Sequence, residues 1–167
     1  MILEFLRWLE PWLKSMPTSA LMTQTTWAWA ACESIHFTGL SMLYGSVLLF
    51  DLRLLGVAKQ VPLGALHRLI PLGVAGFAMN AITGFMFLTG TPGQYLYNLA
   101  FHLKVLCLAI AGLNILVFYS FVYRRVQAVP PGHDAPIAGR VIGGVSLAMW
   151  LGVVTCGRLL TFFRPPY

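Results

Sequence analysis

The stretch WAWAACESIHFTGLSMLYGSVLLF, residues 27–50, decides the fold. As a helix rising 1.5 Å per residue it is long enough, and apolar enough, to cross a hydrocarbon layer of about 30 Å. Within it lie a carboxylate, Glu33, and an imidazole, His36, spaced i and i+3 and so on one helix face. Either group is costly in hydrocarbon unless something pairs with it. The same run therefore sets the architecture and raises the question of function.

Three further apolar runs follow, at about 69–88, 97–123 and 138–163. Trp27 and Trp29, Tyr95 and Tyr97, Tyr119 and Tyr123, and Phe162 and Phe163 collect at their ends, as in the aromatic belts of headgroup regions. The expected fold is all-α: a four-transmembrane-helix bundle over residues 27–163, preceded by an amphipathic interfacial helix over residues 1–16. In the latter, Ile2, Leu3, Leu6, Leu9 and Leu13 recur at helical spacing, interrupted by Glu4, Arg7, Glu10 and Lys14. Pro11 is expected to bend or divide it. Glu4 ahead of Arg7, with no long apolar core, argues against a secretory signal peptide. The helix suits the membrane surface, a partner subunit, or both.

Of the 167 residues, 58% are hydrophobic and 10% charged, and the mean hydropathy is +0.76. A soluble domain carries about 25% charged residues. The excess of 11 Lys+Arg over 5 Asp+Glu is not a nucleic-acid signature, because no basic block is interleaved with aromatics. It belongs to the loops. Arg53, Lys59 and Arg68 lie between the first two spans, and Arg124, Arg125 and Arg140 between the last two; TGTPGQYLYN, between spans two and three, has no charge. Loops one and three are therefore expected in the cytoplasm, and both termini in the periplasm, of a bacterial inner membrane.

Several chemistries are excluded. Cys32, Cys107 and Cys156 form no CxxC pair, so neither a zinc site nor c-type haem attachment is indicated. There is no nucleophile–base arrangement, phosphate-cradling glycine loop or pair of carboxylates. What remains is electron or proton transfer, transport, or support of a partner. Small residues at helical intervals, Gly73, Gly76, Asn80 and Gly84 in the second span and Ala148, Gly152 and Cys156 in the fourth, are expected at helix crossings. Asn80 and Asn114 are expected to make interhelical hydrogen bonds.

The intramembrane ionisable groups give the functional expectation. His36 in the first span and His102 in the third fall at comparable depth from the same membrane face, given that both spans start there. Two facing imidazoles on different helices of a bundle form an axial ligand pair for haem iron. On this reading His36 and His102 hold one haem b. Lys104 or Arg158 meets a propionate, and Glu33 fixes a histidine tautomer or carries protons for a quinone. Electrons would then pass between a redox partner and the quinone pool, in a subunit of a larger complex in the lipid membrane. Two other readings fit the same residues. Glu33, His36, His102 and Arg158 form a cofactor-free polar cluster in a structural or anchor subunit, or Glu33, His36 and His102 ligate a metal such as copper. His67 is expected to snorkel at the start of the second span and His133 to be solvated. Asp51 and Arg53 are expected to cap the first span or pair at the surface.

SIHFTGLSMLYGSVLLFDLRLLG (34–56), GFAMNAITGFMFL (76–88) and AFHLKVLCLAIAGLNILVF (100–118) resemble a family of small uncharacterised bacterial four-span proteins. The likeness covers about residues 30–160. That family is distantly similar to cytochrome-b-like bundles and to copper-resistance membrane proteins of the D type. The resemblance implies the four-span fold and carries no activity with it.

Overall fold

The computed structural model describes residues 2–163. Met1, and the side chains of Ile2 and Leu3 on the expected amphipathic face, lie outside the described residues. The described chain is helical with no strand: α1 (Ile2–Lys14), α2 (Pro17–Gln24), α3 (Ala28–Leu54), α4 (Leu63–His67), α5 (Ile70–Gly90), α6 (Pro92–Leu96), α7 (Leu99–Val117), a π-helical turn (Phe118–Val122), α8 (Tyr123–Gln127) and α9 (Ile137–Leu159). Four segments, Ala28–Leu54, Leu63–Gly90, Leu99–Gln127 and Ile137–Leu159, are long and apolar enough to cross a membrane. The protein is thus an all-α, multi-pass membrane protein, as the hydropathy of the chain leads one to expect.

Local sequence explains where the helices begin. Proline stands in the first turn of α2, α5 and α6, where a missing N–H costs nothing. Asn98 starts α7 by accepting a hydrogen bond from the Ala100 amide at 2.9 Å. Its side-chain amide donates to the carbonyls of Leu160 at 3.3 Å and Phe163 at 2.5 Å, tying the start of span three to the end of span four. Pro11 does not divide α1, which is continuous from Ile2 to Lys14. In its place the chain breaks at residues 15–16, and α2 follows as a separate short helix.

The central helix is α3, packed on α5 at one side and α9 at the other, with α7 packed on α9. Glycine makes the α3–α5 crossing close. A Cβ on Gly76 would lie 2.5 Å from the Gly39 carbonyl oxygen, and one on Gly39 would lie 2.9 Å from the Gly76 oxygen. Such approach gives van der Waals contact that lipid cannot supply by hydrophobic exclusion. On α9, Gly143 receives Leu54 and Gly152 receives the Cys107 sulfur, a hypothetical Cβ there being 2.9 Å from Sγ.

Three side-chain clusters stack along the bundle axis. At the end where α9 finishes, Met22, Ala28 and Cys32 pack with Trp29, Met86 and Phe87. In the middle, Leu43, Ala111, Trp150 and Val153 join spans one, three and four. At the opposite end, Phe50, Leu54, Leu63, Phe118, Val122 and Val126 gather under loops one and three. Between these loops, Lys59 and Arg140 both pair with Asp134, at 2.8 and 2.5 Å. Glycine is required at two points of the loops, Gly56 and Gly132, with φ of +99° and +85°.

Candidate functional site

His36 sits on the face of α3 turned toward α5. Its Nδ1 is 2.7 Å from the Thr83 hydroxyl, and its ring meets Phe87 edge-on at 5.5 Å. The Thr83 hydroxyl has one proton, which it donates to the Met79 carbonyl 2.7 Å away. Donating there, it accepts from His36 Nδ1–H, an arrangement that leaves the lone pair on Nε2. Neighbouring Cys32 points its thiol at the Thr83 carbonyl, 3.6 Å away. Thr83 is thus the link between spans one and two at this depth, a role the sequence reading did not assign. Its spacing of one turn from Asn80 and two turns from Gly76, on the glycine-lined face, was the available signal.

The other expected site residues are disposed differently. His102 is exposed, on the face of α7 that also presents Leu99, Leu106 and Leu113 outward. Lys104 lies two residues on, about 200° around the helix, and turns inward. Its Nζ would be 3.7 Å from a Cβ on Gly157 of α9, and it is close enough to His36 to act electrostatically on that ring. No carboxylate pairs with Lys104 among the described residues. Glu33 is exposed, and so is Arg158, whose guanidinium carbon lies 5.7 Å from the centre of the Phe162 ring. The structure thus brings Lys104 near His36 and holds His102, Glu33 and Arg158 on the outer surface. No group of three or more His, Cys, Asp or Glu side chains converges as a metal-ligand set among the described residues.

The remaining polar residues hold helices and loops together. Asn114 donates across to the Ile142 carbonyl of α9 at 3.1 Å, whereas Asn80 donates back to Gly76 of its own helix at 2.9 Å. Asp51 and Arg53 neither pair nor reach the surface. They are 4% and 1% exposed. Asp51 lies beside Ser146, and Arg53 donates to the carbonyls of Val61 at 2.8 Å and His133 at 3.2 Å. The reason is geometric: loops one and three both fold over the end of α3, and the buried Arg53 guanidinium meets their carbonyls there. His133 contributes that carbonyl, and its ring is exposed. His67 does not snorkel freely. Its ring is half-buried among Phe50, Tyr119 and Tyr123.

Two recesses have no histidine in their lining. One of about 100 Å³ is lined by Leu49, Leu52, Arg53, Val57, Val61 and Leu66. The other, of about 230 Å³, lies between the end of α1 and residues 90–94.

Comparison with known proteins gives a family and no activity. Residues 6–163 match the model of a family of unknown function, DUF6644, and the chain belongs to that family. No curated protein matches the chain. No solved structure matches it either.

Proposed function

We propose that this member of the DUF6644 family is an anchor subunit that supports a larger assembly in the membrane. One observation carries the reading: Glu33, His102 and Arg158, on three different spans and at one end of the bundle, stand on its outer surface. Inside the bundle, His36, Asn98 and Asn114 are engaged by neighbouring elements, and Lys104 turns inward without a carboxylate partner among the described residues. Polar side chains on the lipid-facing wall of a span are unfavourable unless a partner or the headgroup layer meets them. The same end exposes Phe5, Trp8 and Trp12 on α1, an aromatic face suited to the interface or a partner. The arginine-bearing loops one and three face the cytoplasm in this reading. The termini and the partner surface then lie on the other side of a bacterial inner membrane.

A second reading, a b-type cytochrome subunit with a distant likeness to cytochrome b or copper-resistance bundles, has one specific support. The hydrogen bond to Thr83 leaves His36 Nε2 free to ligate. A haem there would supply one-electron transfer, with the quinone pool as the natural second partner. His36 would offer one axial nitrogen, with Lys104 as a nearby cation. His102, on the outer face of α7, would serve as a ligand only at a contact with another chain. A reduced-minus-oxidised spectrum of protein expressed with added haem separates the readings. The anchor reading expects no sharp b-type band, and expects His102→Ala to weaken assembly with no change of colour. A band lost in His36→Ala overturns it in favour of the second.

A further inference from the structure

We propose that the junction of α4 with α8 binds the phosphodiester headgroup of an anionic phospholipid. Its core is built from aromatic and imidazole groups. His67 Nε2 is 3.2 Å from the Tyr119 hydroxyl, the His67 ring is 5.0 Å from that of Tyr123, and the two tyrosine rings are 5.2 Å apart. The π-helical turn Phe118–Val122 lies where these tyrosines leave the regular helix. Such turns interrupt helices at functional positions more often than elsewhere.

Charge points to the ligand. Arg68 follows His67 directly, Arg124 and Arg125 follow Tyr123, and α4 packs against α8. All three arginines are exposed, and none is paired with a carboxylate among the described residues. The acids of this end are engaged elsewhere: Asp51 is buried beside Ser146, and Asp134 is held by Lys59 and Arg140. Glu4, Glu10 and Glu33 lie toward the opposite end of the bundle. An uncompensated triple positive charge therefore stands at the membrane end of spans two and three. Guanidinium forks match the two free oxygens of a phosphodiester, and the Tyr119 hydroxyl, 3.2 Å from His67 Nε2, is a further polar group at the same junction. Leu116 and Phe121, 66% and 75% exposed, offer an adjoining apolar wall for an acyl chain. Phosphate chemistry joined to an apolar wall fits a lipid better than a free anion. The inference does not depend on the anchor reading.

The test uses full-length protein in a neutral detergent. Thermal unfolding and native mass spectrometry are recorded with added phosphatidylglycerol, phosphatidylcholine or inorganic phosphate. Phosphatidylglycerol alone is expected to raise the unfolding temperature and to be retained on the protein. Each of Arg68→Ala, Arg124→Ala and Arg125→Ala is expected to weaken its binding about fivefold, from about 1 kcal/mol per arginine near the surface. Tyr119→Phe, which removes one hydroxyl and its bond to His67, should weaken it as well. Arg158→Ala, at the other end, should leave it unchanged. Equal stabilisation by phosphatidylcholine or by inorganic phosphate overturns the proposal. So does a phosphatidylglycerol response that survives the triple arginine variant, or one that Arg158→Ala reduces as much.

Discussion

Arg53 holds the loop end of the bundle together, and its replacement is the sharpest perturbation the structure offers. The side chain is 1% exposed and donates from Nε to the Val61 carbonyl at 2.8 Å and from Nη2 to the His133 carbonyl at 3.2 Å. These acceptors belong to loops one and three, so a single guanidinium joins both loops to the end of α3. Hydrogen bonds from a charged donor contribute about 1.5–3 kcal/mol each. Taking the short bond near the middle of that range and the long bond at its foot, Arg53→Ala should destabilise the protein by about 3–4 kcal/mol. Arg53→Lys has a single nitrogen and cannot reach both carbonyls in the same fork, so it should recover less than half. Lys59→Ala removes only an exposed ion pair and should cost under about 1 kcal/mol. Denaturant unfolding in detergent micelles gives the energies, and limited proteolysis reports whether loops one and three open together. An Arg53→Ala protein within about 0.5 kcal/mol of the parent, with both loops still protected, would refute the reasoning.

Three other outcomes follow from particular contacts. Gly76→Val drives a side chain into the Gly39 carbonyl and should cost about 1–3 kcal/mol or more in thermal unfolding, whereas Gly112→Ala, with open space around it, should be neutral or slightly stabilising. Asn98→Ala removes a helix cap and both bonds to the end of α9, and should cost about 2–3 kcal/mol, with faster amide exchange over the first turn of α7 and the last turn of α9. The hydrogen bond from Lys59, followed by that from Arg140, holds the Asp134 carboxyl below its ordinary value of 3.8. A carboxyl depressed in the folded state stabilises it above the unfolded value, and that contribution is lost as pH falls through the folded value. The loop cluster should therefore be intact at pH 5 and loosen only below about 3.8, and a carbon NMR titration of Asp134 should move upward in Lys59→Ala.

The fold was legible because span length and hydropathy are one-dimensional properties. Four runs of sufficient length, separated by turn residues, leave little freedom in an all-helical chain. Rotation about each helix axis was not legible. Counting residues put His36 and His102 at similar depth, but depth says nothing about azimuth, and α7 turns Lys104 inward and His102 out. The stripe of residues around α7 held the missing signal: Lys104, Cys107, Leu108 and Ala111 form its inner face, and His102 is on the other side of it. The sequence places Arg53 at a span end, where a charge ordinarily caps the helix or pairs at the surface. Its acceptors are backbone carbonyls in two separate loops, and no side-chain pattern announces them. Asn98 was readable in principle, as an asparagine standing just before an apolar helix. The π-helical turn and the isolated α2 depend on tertiary packing and leave no comparable trace in residue type.

The central claim is that the outward polar residues at the terminal end meet a partner. The most direct measurement is the native mass of the protein extracted from its own membranes in mild detergent, for the parent chain and for Glu33→Ala/His102→Ala. The account predicts a discrete assembly well above the mass of one chain, which falls toward a single chain in the double variant while the unfolding temperature stays within a few degrees. A parent protein that migrates as one chain, or an assembly of unchanged mass in the double variant, would contradict it.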